Sequence, residues 1–374
     1  MEKNYSYIKF GDFAEIQPTV KISRDTQCGF IPMEVINPGY KYVYPIEEKK
    51  YDGSGVKFEN NDIIFARITP CLEHGKIAVV KGLNENKGFG SSEYYVFRER
   101  KEVSTRDYIY YLAISPLIKG NAIVSMVGAS GRQRAQKDVI EKTVVKVPDL
   151  PTQKKVSLIL STYDDLIDIN RQRVQLLEES ARLLFREWFV YFRFPGHEKV
   201  KIVDGVPEGW EKEKLIKIGY LNYGKALVEE TREEGDVKVY GSSGVVGVHN
   251  KSIVEGPGII VGRKGNVGAI HWVNDRYWPI DTVYYIKREQ SNLFLYLSLK
   301  TIGFINTDAS VPGLNRDYAH SKMILVPTKD LLDKFLNQVN EIYSMVKILT
   351  IQNQKLAQAR DLLLPRLMSG AIEV

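Results

Sequence analysis

Two glycine-rich stretches are the first places where this sequence could hold a phosphate group. "GVVGVHNKS", from Gly244, carries the Lys-Ser pair of a nucleotide-binding P-loop, but Asn250 stands where that motif requires glycine. "GRKGNVG", from Gly262 to Gly268, follows a predicted strand, yet its glycines are not spaced as in a dinucleotide-binding turn. Neither stretch therefore predicts a nucleotide site.

Residues that bind metals or act as nucleophiles are few and scattered. The five histidines and two cysteines show no spacing typical of a metal site. "INPGY", from Ile36, has one proline and so lacks the aromatic Pro-Pro motif of an amino-methyltransferase. No convincing carboxylate–carboxylate–lysine group of a nuclease stands out, although that pattern is too short to exclude from sequence. The sequence thus predicts no catalytic residue and no metal site, which favours a chain that binds and arranges other molecules.

Length and composition set the broad class. The chain has 374 residues, enough for two domains, and its 44% hydrophobic and 26% charged residues are ordinary for a globular protein. Two cysteines cannot form a disulfide framework, and "MEKNYSYIKFGDF" has no apolar core of a signal peptide, so we expect a cytoplasmic protein. The net charge of +6 is compatible with nucleic acid but does not by itself indicate it.

The chain contains the same series of segments twice. Gln136-Lys137-Asp138 in the first half corresponds to Asn315-Arg316-Asp317 in the second. The strand-like pairs are "DIIFAR" and "GIIVGR", "HGKIAVV" and "VGAIHWV", "EYYVFR" and "VYYIKR", and "KTVVKVP" and "SKMILVP". Their common order predicts two similar lobes whose strands persist while their loops differ. Chance similarity among β-rich segments is the alternative.

A helical pattern follows each lobe. Apolar residues alternate spacings of four and three from Val156 to Trp188 and from Leu332 to Leu367, which is the seam of a left-handed coiled coil. Each run predicts about forty helical residues, roughly 60 Å at 1.5 Å per residue, ending or kinking at Pro195 and Pro365. Asn170 and Asn353 fall within the seams, where polar side chains fix the register. Alternatively, each helix packs on its own lobe.

These patterns together predict an α+β protein. Two similar mixed α/β lobes are separated by two long antiparallel helices in a coiled coil, with a pseudo-two-fold internal repeat. The predicted segments are a first lobe at 1–150, a first long helix at 151–197, a second lobe at 198–327, and a second long helix with the tail at 328–374. Such a chain can present two equivalent surfaces to two copies of one partner.

The first helix ends in an aromatic cluster. "LLEESARLLFREWFVYFRFPGH", from Leu176, has six aromatics within ten residues. Its charged residues keep every apolar run well short of the ~20 residues of a membrane span. The rings must therefore be buried against this chain or against a partner.

Three stretches resemble a known family. "NRQRVQLLEESARLLFREWFVYFRFPGHE" and the tail "LAQARDLLLPRLMSGAIEV" resemble two characteristic regions of type I restriction-modification specificity (S) subunits, and "VPEGWEKEKLIKIGYL" resembles the entry to a target-recognition domain of that family. The order of lobe, helix, lobe and helix extends the resemblance over the whole chain. The first lobe starts at "YIKFGDF" without the Pro-x-Gly-Trp lead-in of the second, so its edge is less sharply defined.

The resemblance implies a role without catalysis in this chain. A specificity subunit selects the DNA sequence for a complex with two methyltransferase (M) subunits and with restriction and translocation (R) subunits. The partners would hold S-adenosylmethionine, ATP and magnesium, and this chain would hold no cofactor. Each lobe would be a target-recognition domain that reads one half of a split, asymmetric site in double-stranded DNA, and the helices would set the gap.

Two groups of residues follow from that role. The docking surface for M subunits is expected at Phe185, Trp188, Phe189, Tyr191 and Phe192 and, at the second helix end, at Leu364, Leu367 and Met368. Alternatively, all the rings are internal core. The residue types that read bases or hold phosphates occur on turns next to strands. The candidates are Arg67, Arg132, Gln133, Arg134 and Gln136 in the first lobe, and Ser242, Ser243, Asn250, Arg263, Lys264, Asn266, Asn315 and Arg316 in the second.

The same residues and the same architecture also fit less specific roles. Each candidate for DNA contact could be a solvated surface charge, and Arg67 and Arg263 could form structural ion pairs. A stand-alone DNA-binding scaffold shares the architecture but leaves the docking ends without purpose. An enzyme with degraded motifs is the third class, and turnover by the purified chain would favour it. A neighbouring methyltransferase gene would favour the specificity subunit over the scaffold.

Overall fold

The structure is a computed structural model that describes residues 5–307 and 313–374. It groups them into two compact units. The first unit comprises Met1–Gln172 and Leu349–Val374, and the second comprises Arg173–Ile348. Both units combine β-sheets with helices, so the α+β class holds for each.

The first unit is built on a five-stranded sheet of order β2-β10-β7-β8-β4. Beside it lie a four-stranded sheet of order β5-β3-β9-β6 and the pair β1-β11. The strands are β1 (Ser6–Lys9), β2 (Ala14–Ile16), β3 (Gln27–Ile31), β4 (Tyr42–Val43), β5 (Glu47–Lys50), β6 (Val56–Phe58), β7 (Ile63–Ala66), β8 (Ile77–Val80), β9 (Gly88–Gly90), β10 (Tyr94–Glu99) and β11 (Val144–Val147). All residues of β7 and β8 are buried, as expected for short, continuous apolar runs.

Short helices cover this sheet. They are α1 (Phe10–Phe13), α2 (Arg106–Ile114), α3 (Asn121–Val124) and α4 (Lys137–Lys142), with one π-helical turn at Pro116–Gly120 and 3-10 turns at Met33–Val35 and Asn84–Asn86. Helix α2 packs against β7, β8 and β10. Its buried tyrosines, Tyr108, Tyr110 and Tyr111, belong to the same hydrophobic core as those strands. The long helix α5 (Leu150–Phe189) begins directly after β11.

The second unit has a four-stranded sheet of order β15-β21-β18-β19. A sheet of order β17-β16-β20 and the pairs β14-β22 and β12-β13 complete its strands. They are β12 (Ile202–Val203), β13 (Val206–Pro207), β14 (Glu211–Lys214), β15 (Asn222–Tyr223), β16 (Val237–Gly241), β17 (Gly244–His249), β18 (Gly258–Gly262), β19 (Ile270–Val273), β20 (Tyr277–Pro279), β21 (Val283–Ile286) and β22 (Met323–Val326). The helices are α6 (Leu215–Ile218), α7 (Leu293–Ile302), α8 (Arg316–Ser321) and α9 (Lys329–Met368), with 3-10 turns at His197–Lys199, Glu229–Thr231 and Arg288–Gln290.

The two units repeat one strand topology. In the first, β10, β7 and β8 are neighbours in that order, and in the second β21, β18 and β19 take the same places. The outer pair β1-β11 likewise corresponds to β14-β22. The eight strand-like segments predicted from the repeat are all strands, so that prediction is confirmed. Alternation of apolar and polar residues and short apolar runs are sufficient to predict these strands, because each strand lies in or beside a hydrophobic core.

The two long helices each contain forty residues. Helix α5 ends at Phe189, six residues before Pro195. Helix α9 contains Pro365 and continues to Met368, so the expected end at that proline is displaced by most of a turn. A proline near a helix end costs one hydrogen bond but keeps a helical φ, and the backbone N–H of Ser369 donates to the carbonyl of Pro365 at 3.1 Å.

Within the first unit, α5 and α9 run antiparallel and share polar seam residues. The amide Nδ2 of Asn170 donates to Oδ1 of Asn353 at 2.9 Å, and Asp164 forms an ion pair with Arg360. Lower numbers on α5 therefore pair with higher numbers on α9. Asp164 also accepts a hydrogen bond from the Tyr111 hydroxyl at 2.6 Å, which ties the helix pair to α2. Buried charges of this kind are tolerated when they are paired and hydrogen-bonded.

Within the second unit, the same two helices pack through aromatic side chains. The ring centroid of Phe335 on α9 lies 4.7 Å from that of Phe189 and 5.7 Å from that of Trp188. Phe294 of α7 also contacts Phe189, with centroids 5.0 Å apart. The aromatic end of α5 is thus part of the core of its own unit. Among the residues described, no helix is both long enough and apolar enough to cross a lipid bilayer.

Replacing Arg360 with alanine is expected to lower the free energy of unfolding of the first unit by about 3–5 kcal/mol, because Asp164 would lose its partner while buried. Burial already raises the pKa of Asp164, and Arg360 opposes that rise. Urea denaturation followed by circular dichroism measures the change. Lys334→Ala, which removes an exposed ion pair with Asp330 on the same helix, is the control and should cost less than about 1 kcal/mol. Equal losses for the two variants would contradict the interpretation.

Candidate nucleic-acid interface

In the first unit, the candidate side chains lie where the buried central strand ends. Arg67 follows β7, and its backbone N–H donates to the carbonyl of Glu93 at 3.0 Å. Its own carbonyl accepts from the N–H of Ala135 at 2.8 Å. The hydroxyl of Tyr95 then donates to the carbonyl of Ala135 at 2.8 Å. These bonds fix the strand end, the start of β10 and the loop before α4 in one backbone frame.

The second unit contains the same frame. The N–H of Arg263, directly after β18, donates to the carbonyl of Thr282 at 2.9 Å. Its carbonyl accepts from the N–H of Leu314 at 2.9 Å, and the hydroxyl of Tyr284 donates to the carbonyl of Leu314 at 2.8 Å. Arg67 thus corresponds to Arg263 and Ala135 to Leu314. Glu93 corresponds to Thr282, so the sequence pairing of "EYYVFR" with "VYYIKR", which sets Glu93 against Val283, is wrong by one residue. The units repeat a hydrogen-bonded geometry as well as a strand order.

In the first unit, this frame brings two candidate arginines onto one carboxylate. Nε of Arg67 donates to Oε2 of Glu93 at 3.1 Å. Arg134 donates to Oε1 of Glu93 from Nη2 at 2.7 Å and from Nε at 3.0 Å. These hydrogen bonds, first those from Arg134, hold the pKa of Glu93 below its usual value. The ion pair considered as an alternative for Arg67 is therefore present.

The remaining candidates of the first unit surround this cluster. Arg132 is exposed on the turn that the paired backbones of Val127 and Arg134 close. Gln133 accepts from the N–H of Thr69 through its carbonyl at 2.9 Å. The side-chain amide of Gln136 donates to the carbonyl of Arg134 at 3.0 Å. Gln133 and Gln136 therefore stabilise the loop that carries Arg134.

In the second unit, candidates from two separate loops line one pocket of about 140 Å³. Its polar lining residues are Tyr223, Arg263, Lys264, Tyr284, Asn315 and Arg316. The guanidinium carbon of Arg263 lies 5.0 Å from the centroid of the Tyr223 ring, and that of Arg316 lies 4.7 Å from it. Burial and the neighbouring Tyr223 raise the pKa of Tyr284 to about 12. In the described part of the chain, the buried Nε of Arg316 has no hydrogen-bond partner. The pocket therefore concentrates positive charge against aromatic rings.

The remaining candidates of the second unit support loops or lie on the surface. Oγ of the buried Ser242 accepts from the N–H of Asn266 at 3.2 Å, which holds the turn after Arg263. Asn315 caps α8, since its Oδ1 accepts from the N–H of Tyr318 at 3.0 Å. The side chain of Asn250 donates to Glu233, and Ser243 is exposed. The stretch "ASVP" before Gly313 lies outside the described residues.

The candidate docking residues fall into two groups. Phe185, Trp188 and Phe189 are buried in the second unit's core and Leu367 in the first unit's core. Tyr191 is 45% exposed, whereas Phe192, Leu364 and Met368 are partly buried. Burial within the chain favours an internal role for the first group. Tyr191 has the accessibility that a partner contact requires.

Two features of the site are not predicted from sequence. Glu93 stands in "EYYVFR", which by itself indicates only a strand, although its place just before a strand paired with β7 puts it beside Arg67. The tyrosines around Arg263 and Arg316 give no signal of a binding role, because aromatic residues in strands are typical of cores. The described residues include no group of three or more His, Cys, Asp or Glu side chains that could hold a metal ion.

Comparison with known proteins shows similarity to one family. The family model for the type I restriction modification DNA specificity domain matches residues 2–179. The EcoAI specificity subunit of Escherichia coli is 29% identical over 176 residues, which cover 46% of this chain and only 30% of that protein. The MjaIX specificity subunit of Methanocaldococcus jannaschii is 24% identical in an alignment that covers 100% of this chain and 94% of that protein.

Structural similarity extends over the same length. The crystal structure of the type I restriction-modification S subunit from M. genitalium has a TM-score of 0.55, at 15% identity, and covers 98% of this chain and 96% of that one. The fold is thus similar to that of a solved S subunit. The chain is thus similar over its whole length to type I restriction-modification specificity subunits, and its first half matches the model of their DNA specificity domain.

Phe189→Ala is expected to lower the free energy of unfolding of the second unit by about 3–5 kcal/mol, because the ring packs on Phe294, Phe335 and Trp210. Tyr191→Ala, on the exposed side of the same segment, should change it by no more than about 0.5 kcal/mol. Thermal and urea unfolding of both variants measure the difference. A Phe189→Ala variant as stable as the wild type would contradict the core role of this ring and favour its role in docking a partner.

Proposed function

We propose that this chain is the DNA sequence-specificity subunit of a type I restriction-modification complex, in which each lobe reads one half of a split, asymmetric site. One observation carries the proposal: the same hydrogen-bonded frame occurs in both units with different polar side chains on it. A repeated scaffold with different side chains is what two different half-sites require, because loops on a fixed scaffold can change specificity without changing the fold.

The side chains on each frame have the chemistry to contact duplex DNA. Arginine binds guanine through paired donors, glutamine and asparagine bind adenine, and lysine holds phosphates. The first lobe presents Arg67 and Arg134 around Glu93, with Arg132 on the adjacent turn. The second presents Arg263 and Arg316 in its pocket, with Lys264 exposed beside them. Because the two sets differ, the two half-sites should differ in sequence.

The long helices are proposed to set the gap between the half-sites. Each contains forty residues, roughly 60 Å at 1.5 Å per residue. Their antiparallel register is supported by the Asn170–Asn353 hydrogen bond and by the buried Asp164–Arg360 ion pair. A one-turn slip would leave these polar groups unpaired. A fixed register implies a fixed number of base pairs in the gap.

Two methyltransferase subunits are the proposed partners of the helices, together with restriction subunits for cleavage. S-adenosylmethionine, ATP and magnesium would bind in those subunits, and this chain would have no catalytic residue. Tyr191 and a row of exposed apolar residues support docking at α5. Leu176 and Leu183 lie seven residues apart on α5 and are 70% and 47% exposed, and Val190, directly after the helix, is 41% exposed. Exposed apolar residues at heptad spacing on a long helix suit a helical partner.

Co-expression with its methyltransferase in a host free of adenine methylation tests the specificity role. We expect methylated adenines, mapped by single-molecule sequencing, to define a split, asymmetric motif that is missing from cells with the methyltransferase alone. A stable complex that methylates no defined motif would favour a binding scaffold instead.

Arg316→Ala is expected to relax or abolish reading of one half of that motif and to leave the other half unchanged, because Arg316 lies in the pocket of one unit only. A bidentate guanine contact contributes about 1–3 kcal/mol of discrimination, so methylation at sites altered in that half should rise relative to the correct site. Equal loss at correct and altered sites would assign Arg316 to a phosphate.

Leu183→Glu is expected to reduce co-purification of the methyltransferase at least tenfold, because a buried charge would face the partner. Its own unit should stay folded, since Leu183 is exposed. Ile202→Glu, an exposed apolar residue of β12, is the matched control and should leave assembly intact. Co-purification of Leu183→Glu at the wild-type level would show that the methyltransferase does not dock on these exposed apolar residues.

A further inference from the structure

Glu93 is an acidic residue at the centre of a surface that is proposed to face DNA. Its carboxylate accepts from Arg67 through Oε2 and from Arg134 through both oxygens. An isolated carboxylate beside a phosphate backbone weakens binding, because it repels like charge. The first lobe nevertheless places Glu93 between its two best candidates for DNA contact. Its presence therefore needs a reason other than affinity.

The backbone of Glu93 is as firmly fixed as its side chain. Its N–H donates to Oγ of Ser91 at 3.1 Å, and its carbonyl accepts from the N–H of Arg67 at 3.0 Å. The residue is the last of the turn before β10, whose first residue, Tyr94, is in register with Ala66 at the end of β7. A carboxylate anchored in this way can hold other groups in place without moving itself.

The hydrogen bonds fix each arginine and leave donors available. Arg67 donates to Glu93 through Nε, and its guanidinium carbon lies 5.4 Å from the centroid of the Tyr95 ring. Among the described residues, neither Nη1 nor Nη2 of Arg67 donates to Glu93. Arg134 uses Nε and one N–H of Nη2, which leaves the second N–H of Nη2 and both of Nη1. Glu93 thus holds one edge of each guanidinium group. The N–H donors on the other edge remain free to bind DNA.

Orientation matters most for reading bases. A guanine contact needs two N–H donors of one arginine in a fixed fork, whereas a phosphate accepts a donor from many directions. Arginine is a long, flexible side chain that loses rotamer entropy when it is held in one geometry. A residue that fixes the guanidinium before DNA binds removes that loss from the binding step. It therefore favours the correct base over non-specific contact.

The second unit provides an internal comparison. Thr282 occupies the place of Glu93, and among the residues described no carboxylate bridges the arginines of that pocket. Arg263 donates instead to the carbonyl of Asp281 at 3.1 Å and lies against Tyr223. The second lobe thus keeps the full positive charge of its arginines, while the first lobe gives up one unit of charge for orientation.

We infer that Glu93 is a positioning residue that orients Arg67 and Arg134 for base recognition and thereby determines the specificity of the first lobe's half-site. This inference rests on the proposed function, since it concerns the same DNA surface. It predicts opposite effects on two kinds of binding. Without the carboxylate, the arginines gain mobility and net charge, so contact with the correct bases weakens while contact with any phosphate backbone strengthens.

The test uses the full chain in complex with its methyltransferase. The wild-type motif is first taken from methylated adenines in the host genome. Duplexes that carry the motif, the motif with either half altered, or a scrambled sequence are then titrated between about 50 and 200 mM salt. For Glu93→Gln we expect about tenfold weaker binding to the correct duplex, tighter binding to the scrambled one, and a salt dependence steeper by about 0.9 in logarithmic slope.

The position of the effect is the decisive readout. Glu93→Gln should lose discrimination at one half of the motif only, and that half is then the one read by the first lobe. Glu73→Gln, which makes the same charge change at an exposed residue after Arg67, is the control. It should raise non-specific binding slightly and leave both halves of the motif intact. Arg134→Lys keeps the charge but loses the forked contact with Glu93, so it should relax the same half as Glu93→Gln.

Each failure has its own signature. A wild-type complex without any motif overturns the proposed function and this inference with it. A wild-type motif that Glu93→Gln reads with unchanged discrimination overturns the inference alone. Parallel weakening on correct and scrambled duplexes does the same, because it assigns Glu93 to folding of the lobe. Thermal unfolding identifies a misfolded Glu93→Gln variant, and Arg134→Lys then decides the question.

Discussion

The end of a buried strand is the constraint on which both of the surfaces proposed to contact DNA depend. A strand enclosed in a core must satisfy its last backbone groups, and at Arg67 and Arg263 the partners come from the neighbouring strand and from the loop before a short helix. A tyrosine hydroxyl then secures that loop in each unit. Loops that differ in sequence are thereby held in one place, so their polar side chains reach the surface in a defined orientation.

On this common frame, single residues decide the electrostatics. Glu93 neutralises part of the charge of two arginines in the first unit, whereas Thr282 leaves the corresponding arginine to interact with tyrosine rings in the second. The first arrangement favours fixed donor geometry and the second favours positive charge in a small pocket. The proposed function provides a reason for such a difference, since a specificity subunit with two identical lobes could read only a symmetric site.

The register of the two long helices is set by the polar and aromatic side chains in their seam. Their seam is apolar for most of its length, but in the first unit it includes Asn170 with Asn353 and Asp164 with Arg360. Apolar contacts supply stability without a strict register, while buried polar pairs penalise every other register because unpaired polar groups in a core are costly. In the second unit, large aromatic rings fill the seam, and their interlocking shapes have the same effect.

The sequence by itself determined the repeated strands, the long helices and the polar seam residues Asn170 and Asn353, because these depend on periodicity and apolar runs within short windows. It also predicted Arg67, Arg134, Arg263 and Arg316 as candidates for contact with DNA. Only the tertiary structure decided which of them meet. Glu93 joins two arginines from separate loops, Tyr223 and Tyr284 form a pocket with two others, and Phe185, Trp188 and Phe189 turn inward. Contacts between residues far apart in the chain leave no local pattern, and a ring that packs on a partner has the same sequence signature as one that packs on its own core.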